Sequence, residues 1–118
     1  MTYRSTRKWT AAAVLLTFLI DGSPEALAQA HMVGLGGQTC GAWTANSPSI
    51  SGNTGIGLLY QQWVFGYLSG IGHADRTQDP LGGVQGEAVT DWLDNYCQSN
   101  PTVRIVDAAS AFAREHHS

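Results

Sequence analysis

The chain opens with a segment that fixes how much of it is left to fold. Arg4, Arg7 and Lys8 give a positive start, and Trp9 to Ile20 follows as a mostly apolar run. That run is about a dozen residues, too short for the roughly 20 that a membrane-spanning helix needs. Asp21-Gly22-Ser23-Pro24 then breaks any helix. Ala26-Leu27-Ala28-Gln29-Ala30 places small residues at positions −3 and −1 for a cut after Ala28 or after Ala30. These are the three parts of a cleavable secretory signal. Residues 1–30 are therefore expected to be an export signal, and the chain to be periplasmic. Cys40 follows Gly37-Gln38-Thr39 rather than a lipobox, so no membrane anchor is expected after cleavage.

About 88 residues then remain, a size at which a single core is marginal and a covalent staple helps. Both cysteines, Cys40 and Cys97, lie in this part. In an oxidising compartment one Cys40–Cys97 disulfide is the economical reading. Neither belongs to a CxxC pair, which disfavours metal binding and redox cycling. From His31 onward the chain has three cations (Arg76, Arg104, Arg114), seven carboxylates and no lysine, a formal charge of −4. A nucleic-acid binder needs a basic face, so that class is excluded. Only 13% of the residues are charged, which argues against charge-driven disorder.

Helical periodicity organises most of the exported part. Residues 31–38 are Gly-rich and read as a loose, flexible N-terminus. Thr39 can cap a short helix carrying Cys40 and Trp43. Asn46 to Gly57 reads as a flexible Ser/Gly/Asn/Pro loop. A helix is predicted over Leu58–Ile71, with Leu59, Trp63, Tyr67 and Gly70 on one stripe. Gly66 and Gly70 cost helix propensity, so another helix is expected to approach them closely. Gly72 to Gly86 reads as a second loop. A further helix is predicted over Glu87–Ser99, with Val89, Trp92, Leu93, Tyr96 and Cys97 inward and Glu87, Asp91 and Asp94 on a solvated face. Asn100 and Pro101 suit N-cap and N1 of a last helix to about Arg114, whose inner face is Ile105, Ala108, Ala109 and Phe112. His116 and His117 fall in a short tail, 116–118. The expected fold is a small all-α bundle of three main helices plus a short N-terminal helix, packed around Trp63, Trp92, Tyr96 and Phe112.

No catalytic constellation emerges, and the chain reads as a non-enzyme. Ser47, Ser49, Ser51, Ser69, Ser99 and Ser110 lie in no GxSxG motif. Walker, GxGxxG and HExxH patterns are absent from the sequence. His73 has no second ligand at metal spacing. His31 would offer copper an amine and an imidazole only after a cut at Ala30, and no metal or cofactor is expected.

Thr39-Cys40, Trp63-Val64-Phe65-Gly66-Tyr67-Leu68-Ser69-Gly70 and Tyr96-Cys97-Gln98-Ser99-Asn100-Pro101 occur in an order that resembles the HdeA/HdeB-like group of small periplasmic proteins, typified by acid-stress chaperones. The resemblance runs, with gaps, from Thr39 to Phe112, and marks 39–115 as the helical domain. It implies an all-helical fold with Cys40 joined to Cys97, and acid-triggered binding of unfolded proteins. Only the two cysteines carry over as functional positions. The group has lysine-rich ends, which this chain lacks, and no client-binding or dimer motif matches residue by residue, although a homodimer is compatible with it. The candidate surface for clients, or else core, is Trp63, Tyr67, Trp92 and Tyr96. In acid the exported part would move from −4 toward about +7 or +8, counting the α-amino group. An alternative is a periplasmic immunity or inhibitor protein that holds one toxin or enzyme at neutral pH. The Tai-type immunity proteins of type VI secretion have similar Gly-rich helices and late cysteines, though commonly with a second cysteine pair.

Overall fold

The computed structural model describes residues 31–52 and 54–117, so the expected export signal lies outside the described residues. Five α-helices are found there: α1 (Cys40–Asn46), α2 (Pro48–Ser51), α3 (Thr54–Ala74), α4 (Gly86–Ser99) and α5 (Ile105–Glu115). Two 3-10 turns, Leu35–Gly37 and Arg76–Gln78, complete the order. Among the described residues there is no strand, only one isolated antiparallel bridge between Thr39 and Arg104. The all-helical class, the three main helices and the short leading helix are as expected.

Each helix has a local cause. Thr39 caps α1 with its side-chain oxygen, accepting from Ala42 N at 3.3 Å. Pro48 opens α2, where its missing N–H costs nothing. The segment expected as a loop from Asn46 to Gly57 therefore contains a helical turn and the start of α3. The low helix propensity of Gly55 and Gly57 hid that start. Gly57 is buried, and a side chain there would collide with the Asn46 carbonyl and the Pro48 ring.

The inward stripe of α3 sits one residue away from its expected position. Tyr60, Val64 and Leu68 are buried, while Trp63 and Tyr67 are half-buried and Leu59 is 61% exposed. Among the described residues nothing lies within 4 Å of a Cβ built at Gly66 or Gly70, so none of the described helices approaches them closely. In α4 the stripe is as read: Val89, Leu93 and Cys97 are buried, with Trp92 and Tyr96 at the margin.

The last helix begins later than predicted. Asn100 and Pro101 do not start it; Arg104 is its N-cap. Backbone groups between Pro101 and Ile105 serve the other end of the domain instead. Cys40 N donates to Val103 O at 2.7 Å, Gly41 N to Pro101 O at 2.9 Å, and Ile105 N to Gln38 O at 2.8 Å. These bonds lie beside the Cys40–Cys97 disulfide, whose Cα atoms are 4.7 Å apart. Ile105, Ala108, Ala109 and Phe112 then face inward as expected.

The core is formed by Trp43, Val64, Leu68, Val89, Leu93, Ile105 and Phe112 around the disulfide. The expected centre is corrected here: Trp63, Trp92 and Tyr96 pack against this cluster rather than forming its middle. The partners of the two indoles lie at the edge, since Trp63 Nε1–H donates to Val33 O and Trp92 Nε1–H to Glu115 Oε2.

Candidate functional site

Two indoles are held by carboxylates. Trp43 is buried, and its Nε1–H donates to Asp94 Oδ1 at 2.8 Å. Ser47 Oγ donates to the same oxygen at 2.7 Å, and Ser49 Oγ donates to Oδ2. Asp94 is only 7% exposed. The expectation that it lies on a solvated face with Glu87 and Asp91 is thereby overturned for this one residue; those two are exposed. The cause is the α1–α2 corner. Ser47 ends α1 and begins α2, and Pro48 turns the chain so that both serines point back at α4. A buried carboxylate needs such donors.

The second indole is Trp92, whose Nε1–H donates to Glu115 Oε2 at 3.0 Å. Its ring stacks on Tyr96 with centroids 4.9 Å apart and meets Phe112 edge-on at 5.5 Å. His116, read as part of the tail, stacks on Phe112 at 4.1 Å and approaches the Phe112 carbonyl through Nδ1 at 2.9 Å.

The other pair of candidate rings lies on α3. Trp63 and Tyr67 stack at 5.5 Å. Trp63 Nε1–H donates to Val33 O at 3.2 Å, and Tyr67 shares a 2.8 Å hydrogen bond with Ser110. Gly36 is buried beneath the Trp63 ring, where a Cβ would overlap the indole. The Gly-rich stretch read as loose thus forms a turn that covers one face of Trp63. Among the described residues no ring contact joins the α3 pair to the Trp92–Tyr96 pair, so the four candidates form two separate half-buried patches.

A cleft of about 440 Å³ opens between α2, α3 and the start of α4, lined by Pro48, Ser49, Gln61, Phe65, Gln85, Gly86, Glu87, Thr90 and Asp91. It lies in the size range of ligand sites. Sequence reasoning missed this cleft, Asp94 and its serines, and Glu115. Asp94 had one available signal, its place four residues beyond Thr90 and beside Leu93, on the edge of the apolar stripe.

Among the described residues no group of three or more His, Cys, Asp or Glu side chains is placed to hold a metal ion. None of their helices is long and apolar enough to cross a membrane. Comparison with protein-family models, curated protein sequences and solved structures finds no match to this chain.

Proposed function

We propose that this chain is an exported, non-enzymatic protein that binds unfolded proteins under acid stress. The supporting observation is that two tryptophans packed at or beside the core, Trp43 and Trp92, are held by carboxylates, Asp94 and Glu115. At about pH 2–3 carboxylates are mostly protonated and lose the charge that favours such bonds. Seven carboxylates from Asp75 to Glu115 neutralise, leaving three arginines and four histidines positive. Repulsion then loosens the packing. The disulfide keeps the loosened chain compact, and the rings of Trp63, Tyr67, Trp92 and Tyr96 become a surface for apolar segments of clients.

The test is light scattering by an acid-labile protein at about pH 2–3 with and without this chain. Suppressed aggregation, together with loss of near-UV circular dichroism and an intact disulfide, is the expected result. A chain that keeps its near-UV signal and protects nothing rejects the reading. A second reading, an immunity or inhibitor protein acting at neutral pH, draws support from the cleft between α2, α3 and α4.

A further inference from the structure

The cleft between α2, α3 and α4 has a distinct chemistry. Phe65 supplies an apolar wall from α3, and Pro48 supplies another from α2. Glu87 and Asp91, four residues apart on the first turns of α4, stand at its edge as exposed carboxylates. Among the described residues neither takes part in an ion pair; the ion pair found there joins Arg104, the N-cap of α5, to Asp107 in its first turn. Leu58, seven residues before Phe65 and so on the same side of α3, is 50% exposed. The walls are fixed: Ser49 is tied to Asp94, and Thr90 Oγ1 donates to Gly86 O at 3.2 Å.

We propose that this cleft is a docking site for a partner-protein segment that presents an arginine beside an apolar side chain. Charge complementarity selects that occupant. A guanidinium placed in the cleft has two carboxylates for its donors and the Phe65 ring beside it. An acidic segment is repelled by the same two groups, and a wholly apolar one leaves them without partners at the contact. Leu58 meets the neighbouring apolar side chain. This proposal goes beyond the acid-stress reading. It operates at neutral pH, where Glu87 and Asp91 are charged, and its failure leaves the acid experiment untouched.

The test is a neutral-pH titration, followed by amide NMR shifts, of the protein expressed from its full sequence. The probe is a hexapeptide of alternating leucine and arginine, and the control replaces each arginine with citrulline, a near-isostere without charge. Shifts concentrated at Ser49, Gln61, Phe65, Glu87 and Thr90 are expected, with affinity at least about tenfold weaker for the citrulline peptide. The double variant Glu87→Gln, Asp91→Asn, altered only at exposed positions, is expected to lose affinity to the same degree. Equal binding of both peptides, shifts centred on Trp92 and Tyr96 instead, an unaffected double variant, or no binding each overturns the proposal.

Discussion

Asp94 concentrates more of the local energetics than its neighbours on α4. It is a buried anion whose two oxygens accept from Trp43, Ser47 and Ser49, and so fasten the α1–α2 corner to α4. Removing the acceptor leaves the buried Trp43 indole N–H unsatisfied and Ser47 Oγ with only Ser49 Oγ at 3.1 Å, which costs more than the bonds themselves contribute. Asp94→Ala is expected to destabilise the protein by about 3 kcal/mol, measured by urea unfolding at neutral pH. Asp91→Ala, on the same helix but exposed, serves as the control and is expected to change little. A loss below about 0.5 kcal/mol for Asp94→Ala contradicts the role of Asp94 as a hub. The sequence marked this residue only by its place at the edge of the apolar stripe. A carboxylate on an amphipathic helix is usually solvated, and only the return of the chain at Ser47 and Pro48 covers it. Glu115 escaped notice for the same reason, since its bond to Trp92 joins positions 23 residues apart.

The helices themselves were largely legible, because apolar residues at helical spacing point to them independently of context. Val89, Leu93 and Cys97 on α4, and Ile105 to Phe112 on α5, needed nothing more. Boundaries were less legible where distant backbone decides. Asn100-Pro101 has the local chemistry of a helix start, yet the Pro101 carbonyl is used by Gly41 and the Val103 carbonyl by Cys40, so α5 waits until Ile105. Gly66 and Gly70 carried a false signal, since no described helix packs closely against them. The connector after α3 offers a pH test. Asp75 caps the Arg76–Gln78 turn, accepting from Thr77 Oγ1 at 2.7 Å and Thr77 N at 3.0 Å. These two bonds, the side-chain one first, hold its carboxyl below the ordinary value of 3.8. Because the folded state favours the anion, the cap is fully present above about pH 4 and is lost as pH falls through the lowered value. Thr77→Val keeps the backbone donor and removes the hydroxyl. It is expected to raise the Asp75 titration toward 3.8, read by carboxyl carbon NMR. An unchanged titration curve would show that the hydroxyl bond does not set it.

As a whole the domain is small, and its interior depends on a few large side chains gathered around one disulfide. Cys40 and Cys97 are both buried, and the bond joins positions 57 apart, closing most of the domain into one loop. The pairing was legible because only two cysteines exist; the adjoining backbone pairing of residues 38–41 with 101–105 was not, since it involves no side-chain pattern. An oxidising compartment suits such a bond. Chain-entropy reasoning gives a loop of this length about 4 kcal/mol of stabilisation. The decisive measurement is the unfolding free energy of the Cys40→Ala, Cys97→Ala double variant against the oxidised parent, by urea denaturation at neutral pH. A loss of about 4 kcal/mol, or failure to fold at all, is the expected result. A double variant as stable as the parent would contradict the claim that this covalent link compensates for a thin core.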